Sequence, residues 1–169
     1  METKKKIGKV SIMRFRVEAG EMLHGELRYV HHECAIDFIP ADSADVSMRI
    51  GDSGTESLLV NELQLATSVD TGEVLFPWGY LPKPGWRMTQ LRAPVANNGR
   101  IFLVSEVMSP GEPKDIIEGR WNVDYDADTG WVKVHRGAGG GQCVSIAPGV
   151  VMDIVDGILE SVWLNPEFN

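Results

Sequence analysis

Two tripeptides of the same composition, Asp70-Thr71-Gly72 and Asp128-Thr129-Gly130, are the residues of this chain that most invite a catalytic reading. An aspartic protease holds two such carboxylates about 3 Å apart, sharing one proton so that one pKa rises. That arrangement asks for an apolar strand before each Asp and a small residue after each Gly, where the chain packs closely. Here Glu73 and Trp131 follow, and Thr67-Ser68-Val69 and Tyr125-Asp126-Ala127 precede. Both segments instead have the chemistry of a turn, in which the carboxylate accepts backbone N–H bonds and Gly takes the left-handed conformation. Asp70 and Asp128 are therefore expected in separate hairpin turns, and no catalytic residue is assigned.

Metal-ligating types are present without a metal-binding pattern. His31-His32-Glu33-Cys34 places four potential ligands in a row. In an extended strand His31 and Glu33 face one way and His32 and Cys34 the other, whereas zinc takes at least three protein ligands. Asp124, Asp126 and Asp128 alternate like the opening of a calcium loop, but Thr129 and His135 stand where that loop needs Gly and Glu. The glycine-rich stretch 136–142 lacks both phosphate-binding spacings. The expectation is no metal and no cofactor. Cys34 and Cys143 lie far apart and are expected as free thiols in a reducing cytoplasm.

Binding is the better-supported chemistry. The span 115–128 carries Asp115, Glu118, Asp124, Asp126 and Asp128 against Arg120 alone. In an extended segment Asp124, Asp126 and Asp128 project to one side, where mutual repulsion would be relieved by a basic partner. Trp78, Tyr80 and Trp86 stand beside Gly and Pro in what reads as a loop, and such side chains either dominate protein interfaces or plug the end of a β barrel.

The elements that must position these residues read as short strands between turns. Val46, Met48 and Ile50 alternate with polar residues, the period of a half-buried strand. In the stretch 10–17 the apolar face switches from Val10 and Ile12 to Met13, Phe15 and Val17, which points to a bulge. Leu27 to Ile39 is a further extended run, stopped by Pro40. Asn97-Asn98-Gly99 is a hairpin signal, and Asp156-Gly157 splits 150–164 into a second hairpin in preference to one helix. The segment 55–65 fits either a helix capped at Ser53 or Thr55 or a strand leading into the first Asp-Thr-Gly turn. Pro82, Pro84, Pro110 and Pro113 mark loops. The fold class expected is mainly β, an antiparallel sandwich or partly open barrel with few or no helices.

At 169 residues and 43% hydrophobic, the chain suits a single domain over residues 1–169, with a basic segment 1–6 expected to be flexible. Net charge is −8; residues 1–16 carry six basic side chains against Glu2, or +5, so the remainder carries −8 − 5 = −13. Such a body disfavours nucleic acid and anionic membranes and favours basic proteins. No membrane span or signal segment is evident.

Leu63-Gln64-Leu65, Asp70-Thr71-Gly72, Trp78-Gly79-Tyr80 with Pro82 and Trp86, Trp121, Tyr125-Asp126, Thr129-Gly130-Trp131, Gly157 and Val162-Trp163-Leu164 with Pro166 together resemble a loose group of small bacterial proteins, some encoded beside secreted polymorphic toxins. The resemblance spans roughly 60–166. It implies an immunity protein, a cytosolic binder that neutralises a basic, nuclease-like toxin by direct contact. It carries over no binding residue. The alternative is a small-molecule-binding β barrel or an enzyme whose site assembles only in three dimensions.

Overall fold

The computed structural model describes residues 12–137 and 139–169; the basic segment 1–6 and Val10 lie outside the described residues. Chain order is β1 (Phe15–Ala19), β2 (Gly25–Val30), β3 (Ala35–Pro40), α1 (Ser43–Ile50), β4 (Thr55–Val60), β5 (Leu63–Ser68), β6 (Glu73–Tyr80), β7 (Arg87–Met88), β8 (Asn97–Leu103), β9 (Lys114–Asp115), β10 (Asn122–Tyr125), β11 (Val132–His135), β12 (Gln142–Ala147), β13 (Val150–Val155), β14 (Ile158–Leu164) and β15 (Glu167–Phe168). The strands join in one sheet, β15-β2-β3-β6-β8-β12-β13-β14-β11-β10-β7. Beyond that path β1 pairs with β8, and the β4–β5 hairpin, which carries β9, pairs through β5 with β6. The protein is mainly β, and its sheet curls into an open half-barrel. Among the described residues no helix is long and apolar enough to cross a membrane.

Inside the curl, period-two alternation supplies the core. Leu58 and Val60 of β4, Leu63 and Leu65 of β5, Val132 and Val134 of β11, and Val162 and Leu164 of β14 are fully buried. Each such side chain contributes about 1.5–3 kcal/mol relative to exposure. The outward residues of β10, β11, β13 and β14 are largely polar, which places Asp124, His135, Asp153 and Ser161 on the other face.

Turn chemistry explains the connections. Asp156 and Gly157, with φ of 51° and 78°, form the two-residue turn between β13 and β14, so the 150–164 hairpin is as expected. Both Asp-Thr-Gly segments are hairpin turns: Gly72 N–H donates to Ser68 O between β5 and β6, and Gly130 N–H to Asp126 O between β10 and β11. The open choice at 55–65 falls to strands, β4 turning at Asn61-Glu62 into β5.

Four expectations are corrected. The stretch 45–50 is a helix, because Asp42 accepts N–H bonds from Ala44 and Asp45 as an N-cap and Val46, Arg49 and Ile50 form its inward stripe. Met48, which the alternation reading buried, is 77% exposed. The run 27–39 is a hairpin of β2 and β3, reversed by a 3-10 turn at His31–Glu33 with Cys34 in the left-handed region. Asn97-Asn98-Gly99 opens strand β8; a Cβ on Gly99 would lie 2.8 Å from Glu18 O, so glycine here permits the close approach of β1. Phe76 to Tyr80 belongs to β6, with Pro77 inside the strand.

Candidate functional site

The acidic span divides by burial. Asp115, Glu118 and Asp128 are exposed, whereas Asp124 and Asp126 are each only 6% exposed. The expected row of three projecting carboxylates is therefore corrected, and the relief of repulsion is internal. Asp124 receives Arg87 Nε at 2.8 Å and Nη2 at 3.1 Å, a forked contact, and faces His135 Nε2 at 2.8 Å. Parallel pairing of β7 with β10 sets Arg87 opposite Asp124, and the β10–β11 register brings His135 two pairs along, on the same face. Asp126 accepts the N–H groups of Leu91 and Asp128, fastening the 89–96 loop to the second Asp-Thr-Gly turn. The Leu91 amide leads in holding its carboxyl below the usual range.

Burial pushes the Asp124 carboxyl upward, but hydrogen bonds from Arg87 and His135 outweigh it and leave the group below its ordinary value. A depressed carboxyl pKa contributes stability that is present above the unfolded value and lost as pH falls through the folded one. Asp124→Asn is expected to lower stability at neutral pH and to flatten the acid limb of the stability profile. Urea midpoints measured between about pH 2 and 6 check this; parallel profiles for variant and parent would refute it.

Other reactive types are tied into structure. Asp70 accepts the N–H groups of Asp52 and Ser53, pinning the first turn to the end of α1. Ser161 stands opposite His135 in the β11–β14 register, but its hydroxyl is buried and accepts the Trp163 indole N–H. Asp153 accepts the N–H groups of Gly140 and Gly141, which folds the glycine-rich loop onto β13. Burial, then Asp153, push the Cys143 thiol upward, away from a reactive thiolate. His31, His32 and Glu33 are exposed in their turn and not extended as expected. Among the described residues no group of three His, Cys, Asp or Glu could hold a metal ion.

The aromatic residues named from the sequence fall into two places. Trp78 and Tyr80 alternate along β6 with Pro77 and Gly79 and point outward, 40% and 50% exposed. Ala35 of β3 lies opposite Tyr80, and Asp37 and the apolar Ile39 are exposed farther along that strand. Trp86 instead packs edge-on against Tyr29 and Tyr125, with centroid distances of 5.3 and 5.2 Å. Tyr29 and Phe168 sit at one end of the sheet path and Tyr125 near the other, so these rings bridge the opening of the half-barrel. Trp86 also lines a cleft of about 450 Å³ with Trp121, Arg87 and Arg120. Both arginines already hold carboxylates there, Arg87 that of Asp124 and Arg120 that of Glu62.

Sequence reading missed Arg49, Glu73, Lys83, Tyr29 and Phe168. Lys83 between two prolines was the one local signal for any of them; the others depend on strands distant in the chain. No protein-family model and no curated protein matches this chain.

Proposed function

We propose that this protein is a cytosolic binding module that captures a basic protein, as an immunity protein captures a nuclease-like toxin, and that the outward face of β3 and β6 is its contact surface. The observation that carries the reading is the exposure of Trp78 and Tyr80 on β6, with Ile39 exposed farther along the neighbouring strand β3. Large aromatic rings held on a strand lose little side-chain freedom on binding and are the residue types that dominate interface energetics. Asp37 and Glu62 are exposed near this face, and the chain beyond residue 16 carries −13, from −8 − 5. Such a charge speeds capture of a basic partner.

The test uses the C-terminal domain of a secreted protein encoded in the neighbouring reading frame. Trp78→Ala with Tyr80→Ala is expected to weaken binding by roughly 100-fold or more, with the urea midpoint little changed. Association should slow as salt is raised. Unchanged affinity in the double variant would remove this face from the interface. A second reading, small-molecule binding, is favoured by the size of the cleft beside Trp86 and Trp121, which suits a small ligand. It predicts that Arg120→Ala, and not the Trp78 and Tyr80 changes, abolishes binding.

A further inference from the structure

Four aromatic rings converge on a single ammonium group. The Nζ of Lys83 lies 5.6 Å from the ring centroid of Tyr29, 5.8 Å from that of Trp86, 5.8 Å from that of Tyr125 and 5.0 Å from that of Phe168. Each ring face attracts a cation through its quadrupole out to about 6 Å. Among the described residues no carboxylate pairs with Lys83, so the rings are what hold its charge. Tyr29 forms a buried floor, and Trp86, Tyr125 and Phe168 are half-buried walls.

The box is built by long-range pairing. Phe168 is set opposite Tyr29 by the parallel β15–β2 contact, and Tyr125 opposite Met88, two residues beyond Trp86, by the β10–β7 contact. Lys83 enters on the 81–86 turn, where the Tyr29 hydroxyl donates to Leu81 O at 2.9 Å and Trp86 N–H to Lys83 O at 2.9 Å. Pro82 and Pro84 stiffen its backbone on both sides. The lysine is thus a tethered occupant.

We propose that this box is a binding site for alkylammonium groups, quaternary ones above all, and that Lys83 is its internal occupant, which an external alkylammonium group displaces. The spacing favours methylated nitrogen. A methyl carbon about 1.5 Å from nitrogen, in contact with a ring at about 3.5–4.0 Å, sets the nitrogen about 5–5.5 Å from the ring. The observed distances of 5.0–5.8 Å cover that range. A primary ammonium leaves the same space unfilled and surrenders more hydration on entry. The proposal does not depend on the identity of any protein partner.

Tetramethylammonium chloride, titrated into the parent chain and Lys83→Ala with sodium chloride at matched ionic strength as the control, tests it through tryptophan fluorescence. Lys83→Ala is expected to show a saturable change at a midpoint about tenfold or more below the parent's, because a tethered competitor has been removed. Adding Phe168→Leu, which keeps apolar volume and removes one ring, is expected to abolish that change. A response in Lys83→Ala no different from sodium chloride would overturn the proposal. Should Lys83→Ala fail to fold, the parent decides: a saturable change lost in Phe168→Leu supports the site, and its absence refutes it. A trimethyllysine peptide run beside choline separates the two sources of such a group. Tighter binding of the peptide assigns a protein side chain, and equal or weaker binding assigns a free small molecule.

Discussion

Replacing Gly72 with alanine is expected to destabilise the fold by about 2–5 kcal/mol, and the same change at Gly130 by only about 1–2 kcal/mol. Both glycines close an Asp-Thr-Gly turn in the left-handed region, with φ of 78° and 81°. Any L side chain there meets the following carbonyl oxygen, and that cost is common to the two. The surroundings differ. A Cβ on Gly72 would lie 2.5 Å from Leu103 O, a backbone atom of β8. Leu103 N–H donates to Gly72 O at 2.8 Å, so the turn and the strand cannot separate without losing that bond. A Cβ on Gly130 would lie 3.2 Å from the Asn165 side-chain oxygen, the movable end of an exposed residue. Urea unfolding of the two single variants measures the difference. Equal losses would show that φ alone governs these turns and that the docking of the first turn on β8 is unimportant.

That contrast marks what could be read from the sequence. Asp-Thr-Gly and Asp156-Gly157 were legible as turns because turn chemistry is local: a short acceptor side chain followed by a residue that tolerates positive φ. The mainly β class followed from the density of such signals. What surrounds each turn was not legible, since Leu103 is 31 residues from Gly72 and their meeting depends on the β6–β8 pairing. The same limit hid the roles of the acidic residues. Alternation of Asp124, Asp126 and Asp128 was visible, but Arg87 and His135 reach Asp124 only through the registers of β7 and β11. A row that looked like unrelieved charge is largely a set of internal hydrogen bonds. Trp78 and Tyr80 were legible as candidates and stand exposed, whereas Trp86 was drawn into the aromatic seam by Tyr29 and Tyr125. Period-two alternation misled at 45–50, where Val46 and Ile50 also satisfy an i, i+4 helical stripe. The Asp42 cap was the signal that would have decided between them.

The misread helix carries the other large effect. Arg49→Ala is expected to cost about 3–5 kcal/mol, the penalty for taking from a buried carboxylate the nearer and more buried of its two cationic partners. Arg49 is 7% exposed, and its guanidinium donates to Asp45, to Glu73 at 3.3 Å and to the carbonyls of Glu21 and Met22. It therefore joins α1 to the start of β6 and to the segment before β2, with Arg100 approaching the same Glu73 carboxylate from β8 at 3.7 Å. Lysine at 49 preserves the charge but not the fork of donors, so Arg49→Lys is expected to recover less than half of the loss. Burial raises the Glu73 carboxyl pKa, opposed by Arg100 and Arg49. A carboxyl raised in the folded state binds a proton that the unfolded state has released, so its contribution falls as pH rises above the ordinary 4.5. Removing Arg49 takes away one opposing charge, and the stability of Arg49→Ala is expected to decline more steeply over that interval than the parent's. Arg49→Met combined with Glu73→Leu replaces the pair by apolar volume and is expected to restore most of the lost stability. If the double variant proved no more stable than Arg49→Ala, the cost would lie in the lost bonds to Glu21 and Met22, and the stranded charge of Glu73 would not be its cause.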